Sequence, residues 1–106
     1  MDAAVRSRCE TRAAIFKALA HPSRVFIVEE LAKGERCVCE LQERIGADMS
    51  TVSKHLSVLK NAGLLTSERR GAQIFYRLAT PCVLNFMGCV ESVCEARIER
   101  RAAAIR

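Results

Sequence analysis

The sequence predicts a mainly α chain carrying one two-stranded β-hairpin, and two observations lead there. Apolar residues recur at helical spacing in five segments. Between the fourth and the fifth the period changes: "LLTSERRGAQIFYRLA", residues 64–79, joins two β-prone runs through a basic, glycine-containing turn. A length of 106 residues is that of one domain, spanning 1–106.

The first helix is expected from Ala3 to Ala20, where Val5, Ile15, Phe16 and Leu19 are mixed with Arg6, Arg8, Arg12 and Lys17 in an alanine-rich stretch. Pro22 fits the first position of a second helix, Val25, Ile27, Val28, Leu31 and Ala32 give it a buried face, and Gly34 can end it. A short amphipathic helix, Val38 to Ile45, is closed by Gly46. Asp48 is a natural N-cap for "MSTVSKHLSVLKNAG", because its carboxylate can accept unpaired amide hydrogens of the first turn. At about 100° per residue, Val52, His55, Leu56, Leu59, Ala62 and Gly63 share one side of this helix. Ser50, Thr51, Ser53, Lys54, Ser57, Lys60 and Asn61 share the other, and Val58 strays toward it. After the hairpin, Thr80 and Pro81 open a last helix reaching about Arg101 and carrying Cys82, Cys89 and Cys94.

Seventeen Lys and Arg against twelve Asp and Glu give a net charge of +5, and with a pI near 9.1 this favours an anionic partner such as nucleic acid. The six cysteines are below the density of a disulfide scaffold, and "MDAAVRSRCETRAA" has no apolar signal core. A reducing, cytoplasmic setting with free thiols is expected. The longest mostly apolar run, "CVLNFMGCV", is too short to cross a bilayer, so no membrane partner is expected.

A short helix, a tight turn at "GAD", a helix with one apolar and one small polar face, then a basic hairpin is the order of a winged helix-turn-helix. A helix in the major groove needs short donors and acceptors near its N-terminus, here Ser50, Thr51 and Ser53, to approach base edges without steric conflict. Lys54 and Lys60 add phosphate attraction, as do Arg69 and Arg70 at the hairpin tip. His55, on the apolar side, reads as a hydrogen-bonded core histidine before a metal ligand, and His21 as a residue at the start of a helix.

"ALAHPSRVFIVEEL", "STVSKHLSVLKNAGLL" and "ERRGAQIFYRL", in order and over Ala13 to Leu78, resemble the three most recognisable stretches of the ArsR/SmtB metal-responsive repressors. The resemblance implies a homodimer paired through its first and last helices, bound to double-stranded operator DNA and released by an inducer. "ERCVCEL" is similar to the inducer-binding signature of the arsenic-responsive and cadmium/lead-responsive branches, which implies Cys37 and Cys39 as metal ligands. Arsenic resistance, with As(III) as inducer, is the first expectation; Sb(III), Cd and Pb follow, and no organic cofactor is called for. Thiolates suit such soft ions, whereas Mg or Ca would demand oxygens.

Residues two apart on a regular helix diverge by roughly 200°, so Cys37 and Cys39 face one ion only where the turn is unwound or not yet helical. The arsenic signature often has a third cysteine three residues after the second, where this chain has Gln42. By similarity to the cadmium/lead branch, Cys9 is the first candidate for the missing ligand. Cys82 and Cys89 share a face of the last helix but lie roughly 10 Å apart along it, too far to chelate one ion within a single straight helix; the family also has members with inducer sites in the last helix, so the resemblance leaves open a site using Cys82 or Cys89 with partner residues. Cys94 falls with Leu84, Met87, Val90 and Ile98 and reads as a small buried hydrophobe.

A repressor that senses oxidants or persulfides through a cysteine pair is the nearest rival. An enzyme is not expected: there is no C-x-x-C in a thioredoxin-like context, no glycine-rich phosphate loop, and only two histidines. A closed structural zinc site would need paired cysteine knuckles that are missing here, and zinc as inducer would need a histidine in the last helix.

Overall fold

The computed structural model describes residues 1–105. Five helices and three short strands follow in the order α1 (Ala3–Leu19), α2 (Pro22–Ala32), β1 (Arg36–Cys37), α3 (Val38–Ile45), α4 (Met49–Asn61), β2 (Leu65–Arg70), β3 (Gln73–Leu78) and α5 (Val83–Ile105). Each boundary has a local cause. The Asp2 carboxylate accepts the Val5 amide at 2.8 Å to start α1, and His21 Nδ1 accepts the Ser23 amide at 3.0 Å ahead of Pro22 to start α2. Gly46, at φ 78°, takes the left-handed conformation that ends α3 and allows the tight turn to α4. The Asp48 carboxylate then accepts the Thr51 amide at 2.7 Å.

The core lies where α2, α3 and α4 meet. Ile27, Val28, Leu41, Val52, Leu56 and Leu59 are fully buried, joined by Leu31, Leu64 and Leu65. Each such side chain contributes about 1.5–3 kcal/mol relative to exposure. Only Ala18 and Leu19 of α1, and only Val83 of the 23-residue α5, are buried. Phe16 and Phe86, with ring centroids 5.4 Å apart, link these two outlying helices.

Several expectations need correction. The expected hairpin is present as β2 and β3, and it gains a third strand, in the order β1-β3-β2, because Arg36 and Cys37 pair antiparallel with Tyr76 and Phe75. A two-residue strand is too short to show alternation. The last helix begins at Val83 and extends to Ile105, past Arg101. Thr80–Asn85 starts with tight bonds over three residues, from the amides of Val83, Leu84 and Asn85 to the carbonyls of Thr80, Pro81 and Cys82. Cys82 therefore sits in the turn before α5, and its helical spacing to Cys89 does not hold. Cys94 is exposed, because among the described residues no other element packs closely on that part of α5. His55 is half-buried with its ring against His21, centroids 4.3 Å apart, and no hydrogen bond to its side chain is found among the described residues.

Candidate nucleic-acid interface and thiol cleft

The apolar side of α4 is anchored by Val52, Leu56 and Leu59, which leaves Ser50, Ser53, Lys54, Ser57, Lys60 and Asn61 exposed away from it and Met49 exposed at the N-terminal end. Ser50 donates to the Asp48 carboxylate at 3.0 Å, and Thr51 is half-buried with its amide on the same group. These contacts, the Thr51 amide foremost, hold the Asp48 carboxyl below the usual carboxylate range. Lys54 is exposed one turn later. Lys60 donates to Ser67 Oγ at 2.6 Å and so ties the end of α4 to β2.

The wing tip separates its two arginines. Arg69 is exposed and, among the described residues, forms no ion pair. Arg70 is engaged: its guanidinium makes a two-pronged contact with Glu35, one prong at 3.0 Å, reaches Glu68 at 2.9 Å, and lies 4.7 Å from the Phe75 ring centroid. The Glu35 bond, followed by that to Glu68, drives the Arg70 pKa up. Of the basic residues expected to meet phosphate, Arg70 is thus committed within the protein. On the other side of the core, the buried Glu30 accepts from Lys33 at 3.0 Å and from Arg44 at 2.6 Å, which fastens α2 to α3; the Lys33 bond is the main reason its carboxyl stays below the ordinary range.

Cys37 and Cys39 straddle the start of α3. Cys37 is the N-cap residue, extended at φ −82° and ψ 162°, and Cys39 lies in the first turn. Cys37 therefore sits where the chain is not yet helical and Cys39 just inside the helix, so the regular-helix divergence of residues two apart does not apply to the pair. The Cys37 amide donates to Glu40 Oε1 at 3.2 Å, and its residue is buried between β3 and the core. Burial pushes the Cys37 thiol up, and the Glu40 amide facing the sulfur offsets part of that. Cys39 is exposed.

Both cysteines border one cleft of about 270 Å³, with Val38, then Met49 and Ser53 from α4, and Ala72, Gln73 and Ile74 from the wing. A soft ion fits this lining, since sulfur is present and carboxylates and imidazoles are not. Cys9, on α1, Cys82, before α5, and Cys89 and Cys94, on α5, do not border the cleft. Among the described residues no three His, Cys, Asp or Glu side chains form a metal-holding group. No described helix is long and apolar enough to cross a membrane. Met49 went unnoticed in the sequence because it follows Asp48 directly and reads there as an ordinary helix opener. Gln73 and Ile74 join the cleft only once the hairpin folds back onto α3.

The family described as "Bacterial regulatory protein, arsR family" matches residues 21–67, from the start of α2 into β2. The "HTH-type transcriptional repressor SmtB" of Mycobacterium tuberculosis is 45% identical over 65 residues, 61% of this chain and 48% of that protein. The "Biofilm growth-associated repressor" of Agrobacterium fabrum is 41% identical over 76 residues, 72% of this chain and 65% of that protein. The chain thus spans about half of the first relative and just under two thirds of the second. The homodimeric winged helix-turn-helix domain of a possible ArsR-family regulator from Mycobacterium bovis superimposes with a TM-score of 0.77 at 30% identity, covering 90% of this chain and 88% of that one.

Proposed function

Because this chain belongs to the arsR family of bacterial regulatory proteins, whose relatives are transcriptional regulators rather than enzymes, we propose that it is a homodimeric operator-DNA-binding repressor released when a thiophilic metal(loid), As(III) foremost, engages Cys37 and Cys39. One observation carries the reading. The two thiols share their cleft with residues of α4 and of the wing, so that an ion held there would lie beside both elements proposed to meet DNA.

Ser50, Ser53 and Lys54 on the exposed face of α4 would meet base edges and phosphates in the major groove, with Lys60 and Arg69 on flanking phosphates. Two copies, paired through the apolar faces of α1 and α5, would set two reading helices one DNA turn apart. Cys37 and Cys39 would hold the inducer as thiolates, whose soft sulfurs supply affinity for As(III); a small exogenous thiol or Cys9 of a second copy would complete three sulfurs. To engage an ion from the cleft it borders, the buried Cys37 must give up its proton. The same residue donates its amide to Glu40 at the start of α3 and pairs with Phe75 in the wing, so a shift of the Cys37 backbone on binding would reach both elements. Binding at the thiols and binding to DNA then favour different positions of α3, α4 and wing, and each weakens the other by the same factor.

The test is a fluorescence-anisotropy titration of the reduced protein on the promoter DNA of its own gene, with arsenite, cadmium and zinc added in turn. Arsenite should release the wild type and leave Cys37→Ser/Cys39→Ser bound. Equal release of both would move the inducer site to the other cysteines, and release of neither would overturn metalloid sensing.

A further inference from the structure

The thiol cleft has a third sulfur. Met49 borders it together with Cys37 and Cys39, and it is the first residue of α4, directly after the capping Asp48. The remaining lining, Val38, Ser53, Ala72, Gln73 and Ile74, is apolar or neutral, with no carboxylate or imidazole to favour a hard cation. At 41% exposure the Met49 side chain is not locked into the core, and an unbranched thioether with three rotatable bonds adapts readily to a new partner. Gln42 stands where a third thiol would complete the cysteine signature, and among the described residues no third His, Cys, Asp or Glu joins the pair. Within one chain, the third soft donor available to this cleft is the thioether.

We propose that Met49 is a ligand of the thiol cleft and that, with Cys37 and Cys39, it makes the cleft a site for a monovalent d10 ion of the Cu(I) and Ag(I) class, held by two thiolates and one thioether. This rests on the reading of Cys37 and Cys39 given above and extends it to a second kind of ion. As(III) forms its bonds to thiolates and leaves Met49 idle, whereas thioether sulfur is a good donor to Cu(I) and Ag(I). Binding releases two thiol protons to solvent and gains one positive charge, so the occupied site carries a net charge of −1. Because Met49 belongs to the reading helix, the monovalent ion would pull on the N-terminus of α4 itself, at the Asp48 cap, rather than acting only through α3.

The experiment measures Cu(I) affinity anaerobically by competition with a chromophoric Cu(I) chelator, counts sulfur neighbours by X-ray absorption, and determines arsenite affinity alongside. The variants are Met49→Leu, which keeps an apolar side chain of similar volume, and Cys37→Ser/Cys39→Ser. Loss of an outer-shell partner alone costs metal sites about 10–100-fold, so loss of a direct donor should weaken Cu(I) binding by about tenfold or more. The absorption spectrum should fall from three sulfurs to two, with arsenite affinity unchanged. Wild-type Cu(I) affinity in Met49→Leu, or two sulfurs in the wild type, overturns Met49 ligation; if the double variant then loses Cu(I), the thiol pair stands without it. Wild-type Cu(I) affinity in the double variant as well removes the thiol site altogether. Equal losses of Cu(I) and arsenite in Met49→Leu mark a packing effect and also overturn ligation.

Discussion

Between Pro22 and Leu78 the chain closes on itself: Ile27 and Val28 of α2, Leu41 of α3, and Val52, Leu56 and Leu59 of α4 are all fully buried. Outside that span, Ala18, Leu19 and Val83 join the core, while other large apolar residues of α1 and α5 stay in water. In α5, Phe86 is 39% exposed, Val90 40%, Val93 60% and Ile98 68%, and in α1 Phe16 is 54% exposed. The radius of gyration, 16.7 Å, exceeds the roughly 13 Å of a compact domain of this length, because α1 and α5 reach beyond the core. The contrast teaches that the reading unit completes its core within one chain, whereas the apolar sides of α1 and α5 stay uncovered in it, as the proposed pairing of two copies requires.

The comparison is broken most directly by cutting into each region in turn. Leu56→Ala, in the closed region, should cost about 3–5 kcal/mol of unfolding free energy, measured by urea denaturation, at every protein concentration. Ile98→Ala should cost stability only where the protein is dimeric, and its effect should fade on dilution. Next in size, Val90→Asp places an unpaired charge in the proposed pairing face and should weaken dimerisation by about 3 kcal/mol, on the order of a hundredfold, in sedimentation equilibrium. An unchanged dissociation constant would mean that α5 pairs through another face or not at all.

A smaller effect separates two neighbours at the wing tip. Arg69 is free to meet phosphate, whereas Arg70 is held by Glu35 and Glu68. Arg69→Ala should reduce the slope of log affinity against log salt by about one unit for each wing, and Arg70→Ala by much less. Equal reductions would show that DNA takes Arg70 away from its carboxylates.

The same contrast governs how much could be read from the sequence. Features fixed by one residue at one position were legible: Pro22 opening α2, Gly46 closing α3, Asp48 capping α4, and the division of α4 into two faces. Features fixed by partners distant along the chain were not. The pairing of Glu35 with Arg70 spans 35 residues, and β1 exists only because β3 returns beside it. The cysteine pair was legible as a motif, but its cleft, with Met49 and Gln73 in the wall, needed the wing in place. Periodicity alone places Cys94 with the apolar residues of α5; the periodicity is real, and in a single chain the face is open.

His55 gives the smallest effect and tests how closed the reading unit is. Its ring is half-buried against His21, and burial, with His21 and Arg24 adding positive charge nearby, holds its pKa below the ordinary 6.5. The unfolded chain has no such neighbours and takes up the proton at the ordinary value. Stability from this group is therefore complete above about pH 6.5 and falls with pH through the window between the unfolded and the lower folded pKa, where only the unfolded state binds the proton. Below the folded value it falls no further. Glu30, Glu40 and Asp48, whose carboxyls are also held low, change charge only below their ordinary values of 4.5, 4.5 and 3.8, so they do not cloud this window. Urea midpoints at about pH 7.5 and about pH 5.5 should drop more for the wild type than for His55→Gln, which stays neutral throughout. An equal drop in both would mean that the His21–His55 contact opens to solvent and admits the proton, and that the end of the reading unit nearest α1 is looser than its buried leucines suggest.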